Sequence, residues 1–248
     1  MRPAIVFLHG ITGSATGWTR QIAHFESAHQ ALAWNAPGYG GRRRADGPLT
    51  FEGLAALLAS DLDAFGIANA ALIGHSFGGM VAQQFVRDFP QRVTHLVLAN
   101  TSPAFGNPDG EFQKRFIADR LAPLDRGLGM AELALTAIDR MAGEDVDADG
   151  LELARRTMAA VPEASYRSAV TLLATFDLRA SLVAVAVPTL LLAGERDALS
   201  PAPMMRKMAE RISGAVYQEF PGAGHLLPFE RPRAFNASIE AFLQGVRT

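Results

Sequence analysis

Six strand-sized apolar runs, spaced by helix-length amphipathic segments, constrain this chain more than any other feature. The runs cover residues 4–8, 31–34, 70–74, 93–99, 189–193 and 216–220, and most are continuous rather than strictly alternating. A strand apolar on both sides is covered on both faces, the condition of a parallel sheet flanked by helices. Segments 18–28, 50–65, 79–89, 203–212 and 233–244 are expected to supply those helices, with short Gly/Pro-rich connections. The expected fold is α/β, with an open, mainly parallel sheet of about six strands. Right-handed crossovers then bring the C-terminal ends of all strands to one sheet edge.

One stretch breaks the alternation. Between Ala104 and about Thr175 only helical patterns occur, at 110–121, 130–141, 151–160 and 163–175. So long a helical insertion exceeds any crossover and is expected to cover the sheet edge as a cap. The chain accordingly divides into a core of residues 1–103 and 180–248 and a helical cap of residues 104–179. The cap carries 13 acidic and 9 basic residues. Within it, Asp145-Val146-Asp147-Ala148-Asp149-Gly150 reproduces the first half of a calcium loop. The twelfth position, which should supply a bidentate Glu, is Arg156, and the apolar eighth is Glu152. The segment reads as an interhelical loop in which Asp149 caps the next helix and Glu152 closes a capping box.

Composition excludes several classes. With 23 Lys+Arg against 25 Asp+Glu, the chain has no basic excess for nucleic acid. Zero cysteines rule out a disulfide scaffold, a thiolate nucleophile and thiolate-held metal. No metal or cofactor is expected. The run at 4–8 is too short for a signal-peptide core, and no window approaches the roughly 18–20 apolar residues of a membrane span. A cytoplasmic protein without a membrane partner is expected.

Gly74-His75-Ser76-Phe77-Gly78-Gly79 lies between an expected strand and an expected helix. That context makes G-x-S-x-G a nucleophile elbow, in which a sharp turn lifts the Ser76 hydroxyl clear of the sheet. Gly74 and Gly78 are then needed because neighbouring backbone leaves no room for a Cβ. A nucleophilic serine requires a base, and the base an orienting acid. Of six histidines, His225 in Pro221-Gly222-Ala223-Gly224-His225 follows the last strand and shares the sheet edge with Ser76. His75 is expected in the core, His24 and His29 near a helix end, and His95 in a strand. In Gly194-Glu195-Arg196-Asp197 the acid is Asp197 first, with Glu195 as competitor. Asn100-Thr101-Ser102 after another strand holds no charge for this role. The chain order Ser76, Asp197, His225 is that of one hydrolase superfamily.

On these motifs the sequence resembles α/β-hydrolase fold enzymes over nearly its whole length, with His9-Gly10-Ile11 similar to their oxyanion loop. The resemblance implies an oxyanion hole made by the backbone N–H groups of Ile11 and Phe77, with His9 bracing its loop. It also places the aromatic Trp18 beside the pocket, although core packing is the more usual role for a residue such as Trp18 or Trp34. Relatives carry an antiparallel strand pair before the oxyanion-loop strand that this chain lacks, which leaves the 31–34 strand at an edge. A monomer, or a homodimer paired through that edge, follows. Arg42-Arg43-Arg44 is read as a solvated basic loop, or as an attractor of anions.

Within the superfamily the chain resembles 3-oxoadipate enol-lactonase-like hydrolases at 34–40, 161–166, 176–179 and 221–225. The resemblance implies a serine hydrolase cleaving a small carboxylic ester or lactone through an acyl-enzyme. Alternatives are a carbon–carbon bond hydrolase of the meta-cleavage type, a cofactor-free perhydrolase, and a receptor without catalysis. Leu199 and Leu226, beside the catalytic positions, and Leu135, Ile138 and Met141 of the cap are expected to line the pocket. Arg115, Arg120 or Arg140 would meet a substrate carboxylate, and the sequence does not choose among them.

Overall fold

The computed structural model describes residues 2–105 and 109–245. Six parallel strands, β1 (Ala4–Leu8), β2 (Gln30–Trp34), β3 (Ala70–His75), β4 (Val93–Ala99), β5 (Thr189–Gly194) and β6 (Val216–Phe220), form one sheet. Their order is β2-β1-β3-β4-β5-β6, so the chain reverses direction across the sheet between β1 and β3. Clefts at the C-terminal ends of strands flanking such a reversal are where open α/β sheets bind ligands.

The two sheet faces are packed against different helices. Val6, Leu8, Leu72, Leu98 and Leu191 belong to one core with α2 (Phe51–Ala64), α3 (Phe77–Asp88) and α8 (Ala202–Glu210). Their strand neighbours Ile5, Phe7, Ile73, Val97 and Leu190 belong to a second core. Helices α1 (Thr19–Phe25) and α10 (Pro232–Leu243), the latter preceded by the single turn α9 (Leu227–Glu230), cover that side. Both faces are thus apolar along one strand, which accounts for the continuous runs in the sequence. The outermost strands, β2 and β6, are only half-buried, as expected for edges.

Among the described residues four α-helices lie between β4 and β5: α4 (Glu111–Asp125), α5 (Met130–Met141), α6 (Ala148–Ala159) and α7 (Glu163–Leu173). The stem of this insertion is clamped by backbone hydrogen bonds from Phe105 N–H to Phe176 O and from Leu178 N–H to Pro103 O, both 2.8 Å. At its centre the insertion is fastened to the loop after β6. Glu144 N–H donates to Gly222 O at 2.7 Å, and His225 N–H donates to Met141 O at 2.8 Å. Gly143 permits this approach, since a Cβ there would lie 2.1 Å from Gly222 O. Among the described residues no helix is long and apolar enough to cross a membrane.

Two local expectations need correction. The cap of α6 is Asp147, whose carboxylate accepts from Gly150 N–H at 2.6 Å and pairs with Arg20 of α1. Asp149 is solvent-exposed in the first turn, and Glu152 turns to Arg155. The basic loop is not uniformly solvated either. Arg42 is half-buried, bonded to Asp61 and stacked on Trp34, whereas Arg43 and Arg44 are exposed, the first paired with Asp46 and the second bonded to the Ser168 hydroxyl.

Candidate active site

Ser76 joins β3 to α3 with φ 53° and ψ −118°, a backbone conformation that L side chains rarely adopt. Close packing enforces it. A Cβ on Gly74 would stand 2.5 Å from Gly78 O, and one on Gly78 would stand 2.1 Å from Leu8 O. The turn is held from the neighbouring strand end by Ser76 N–H donating to Ala99 O and by the Thr101 hydroxyl donating to Ser76 O. The side chain is thereby aimed out of the sheet edge.

His225, in the loop after β6, lies with Nε2 3.0 Å from Ser76 Oγ and Nδ1 2.8 Å from Asp197 Oδ2. An ionised carboxylate only accepts, so Nδ1 carries the proton and Nε2 is left to accept from the serine hydroxyl. Asp197 is buried, which by itself opposes ionisation. The facing His225 ring, Ser200 N–H and the Asn100 amide outweigh that cost and hold its carboxyl well below the usual carboxylate range. Glu195, the competing acid, instead accepts from Gly222 N–H at 2.8 Å on the exposed side of the loop. This serine–imidazole–carboxylate arrangement is one in which an oxygen nucleophile is activated and later reprotonated.

His75 and His9 brace the site from within the fold, both rings being buried. Burial lowers the His75 pKa to about 3, and its neutral ring donates from Nε2 to His225 O at 2.7 Å. Burial likewise takes His9 to about 4. Ala36 N–H donates to its Nε2, which leaves Nδ1–H to donate to Gly10 O. The Tyr39 hydroxyl donates to Ile11 O at 3.2 Å, fixing the 9–12 loop opposite Ser76. Among the described residues the backbone N–H groups of Ile11 and Phe77 have no intramolecular acceptor. Phe77 opens α3, so its N–H lies at the positive end of the helix dipole.

A cavity of about 320 Å³ joins Ser76 and His225 to the insertion. Met141 and Leu199 line it, the latter 41% exposed at its mouth. Four expected wall residues lie elsewhere. Trp18 packs on Phe7 and Phe235 across the sheet, in the core beneath α1 and α10. Ile138 is fully buried between insertion helices, and Leu135, a turn away, is 59% exposed to solvent. Leu226 turns inward into the core rather than toward the cavity. The walls come instead from Met80, Phe105, Phe116, Leu133, Tyr166 and Leu173. Of the three candidate arginines, Arg120 and Arg140 line the cavity and Arg115 does not.

Two structural residues escaped the sequence reading. Asn100 bonds Asp197, and Glu230 accepts from Gly143, Gly224 and Leu226 N–H groups around the His225 loop. An acid inside the apolar run Leu226-Leu227-Pro228-Phe229-Glu230 was a usable signal for the second.

The family model described as the alpha/beta hydrolase family matches residues 5–238. The chain belongs to that family. This hydrolase is 27% identical over 246 residues to 3-oxoadipate enol-lactonase 2 of Acinetobacter baylyi, covering 98% of this chain and 89% of that one. It is 30% identical over 249 residues to a Variovorax paradoxus protein provisionally named a carbamate hydrolase, covering 98% and 92%. Among solved structures, a thermophilic esterase from Thermogutta terrifontis with malate bound superposes with a TM-score of 0.87 at 27% identity, covering 99% and 91%. The hydrolase is therefore a hydrolytic enzyme, in agreement with the resemblance read from its motifs.

Proposed function

We propose that this hydrolase cleaves a small carboxylic ester or lactone through an acyl-enzyme on Ser76. The observation that carries the reading is the unbroken chain from Ser76 Oγ through the His225 ring to Asp197, opening on one cavity. Ser76 attacks the carbonyl carbon as His225 Nε2 takes its proton, and Asp197 stabilises the resulting imidazolium. The oxyanion is held by the Ile11 and Phe77 N–H groups, donors whose individual removal in comparable sites costs about 3–4 kcal/mol. His225 then protonates the leaving alcohol. It next activates a water that attacks the acyl-enzyme, and Ser76 recovers its proton as the acid departs. For a lactone, the alcohol and acid remain one molecule. The chemistry so written uses no metal ion or cofactor.

Residues 104–179 act in this reading as a cap that walls the substrate against the sheet edge. The enol-lactonase and esterase relatives support the bond type, and the cavity's size supports a small substrate. The test is a panel of short-chain esters and lactones run on wild type and Ser76→Ala. Loss of nearly all turnover in the variant is expected. Activity within tenfold of wild type would overturn the mechanism.

A further inference from the structure

The cavity that holds Ser76 also holds two polar side chains that no hydrogen bond engages among the described residues. Arg120 of α4 is half-buried, with its guanidinium carbon 3.4 Å from the centroid of the Phe116 ring. Among the described residues no carboxylate lies within ion-pair distance of it and no hydrogen bond engages it, although Asp119 precedes it in the chain. Tyr166 of α7 is 3% exposed, and its hydroxyl likewise has no hydrogen-bond partner among the described residues. It is not sealed in the core, since the residue lines the same cavity. The two groups are close enough to interact electrostatically.

The other cavity arginines are differently placed. Arg196 is paired with Glu144 at 2.9 Å, and Arg140 stands in solvent. Among the described cavity arginines only Arg120 combines desolvation with the lack of a contact ion pair, since Asp119, which lines the same cavity, acts on it without reaching ion-pair distance. Burial weakens the hold of its guanidinium on the proton, and withdrawing a cation from water without a partner is costly. A planar fork of N–H donors beside a hydroxyl donor matches the two oxygens of a carboxylate. The stacked Phe116 ring holds the fork in place before any ligand arrives, which lowers the entropy lost on binding.

We propose that Arg120 and Tyr166 bind a carboxylate that the substrate carries away from its scissile bond, so that the ester or lactone cleaved is an anion. The proposal rests on the Ser76 reading above and deepens it. It selects Arg120 over Arg115 and Arg140, a choice that the sequence left open.

The experiment compares p-nitrophenyl hemisuccinate with p-nitrophenyl butyrate, two four-carbon acyl esters that differ in a terminal carboxylate. The ratio of their kcat/KM values is expected to favour the acid in wild type. Arg120→Met should lower that ratio at least tenfold, chiefly through the KM of the hemisuccinate. Arg120→Lys should restore part of the ratio, and Tyr166→Phe should lower it severalfold. A second measurement does not depend on turnover. Titration calorimetry of succinate into Ser76→Ala should show binding that the Ser76→Ala/Arg120→Met double variant loses. A wild-type enzyme active on both esters, with a ratio and succinate binding indifferent to Arg120, overturns the carboxylate site alone. A protein inactive on both esters that still binds succinate through Arg120 overturns the Ser76 reading and leaves the site standing.

Discussion

The Asn100 side-chain amide donates to Asp197 Oδ2 at 2.9 Å, the same oxygen that the His225 ring meets at 2.8 Å. Asn100 also donates to Gly224 O, one residue before His225, from a left-handed backbone with φ 46°. It therefore links Asp197 to the loop that carries His225. Asn100→Ala removes one donor to a buried carboxylate and is expected to lower kcat about tenfold with little change in KM. Asp197→Asn, which leaves His225 in the wrong tautomer, should cost about 10⁴-fold by the behaviour of such triads in general. Steady-state kinetics on one ester reads both, and an Asn100→Ala enzyme with only KM altered would remove the residue from this role.

That Asn100 matters at all shows where the sequence stops being readable. The strands and the Ser76 elbow are local: their signals are apolar runs and glycines whose backbone neighbours lie within a few residues or on the next strand. The His225 and Asp197 positions follow from topology, because parallel strands deliver the following loops to one edge. Asn100 was passed over since it carries no charge, yet its contribution is geometric. The insertion was legible as four helices but not as a surface. Leu135 and Ile138 share a helical stripe, and which of them faces inward depends on how α5 docks against α6 and α4, a long-range fact.

That docking makes a stability contrast. Ile138 is fully buried and Leu135 is 59% exposed. Ile138→Ala should destabilise the protein by about 2–5 kcal/mol, as large-to-small core changes do. Leu135→Ser should stay within about 0.5 kcal/mol. Urea denaturation monitored by tryptophan fluorescence measures both, and equal costs would place α5 in a different rotation.

His9 and His75 make stability depend on pH above the carboxylate range. Burial sets their folded values near 4 and 3, whereas the unfolded chain protonates both near 6.5. Between these limits the unfolded state binds more protons, so stability falls as pH drops below about 6.5, by up to about 1.4 kcal/mol per unit for each histidine. Asp197 acts in the same direction at lower pH, because its depressed pKa makes its contribution fade only below the unfolded carboxylate value. Urea midpoints at pH 7, 6 and 5 should decline steadily, and His75→Gln should flatten the decline. Ring resonances of His75 that titrate between pH 8 and 5 would contradict the buried neutral imidazole.

Glu230 and Glu195 flank the same loop and differ in what they hold. The Glu230 carboxylate is buried and accepts from Gly224 N–H at 2.7 Å, Leu226 N–H at 2.8 Å and Gly143 N–H at 3.0 Å. It fixes the backbone on both sides of His225 and the segment leaving α5. Glu195 accepts only from Gly222 N–H and does so in solvent. In Glu230→Gln an amide N–H₂ must face at least one of those three donors, leaving it unsatisfied at a cost of about 2–4 kcal/mol. The His225 ring would also drift from Ser76, and misplacement by about 1 Å is enough to lower kcat roughly 10²-fold. Glu195→Gln should leave stability within about 1 kcal/mol and kcat near wild type. Denaturation and kinetics on the two variants decide the matter: a Glu195→Gln enzyme as impaired as Glu230→Gln would return Glu195 to contention as the acid that orients His225.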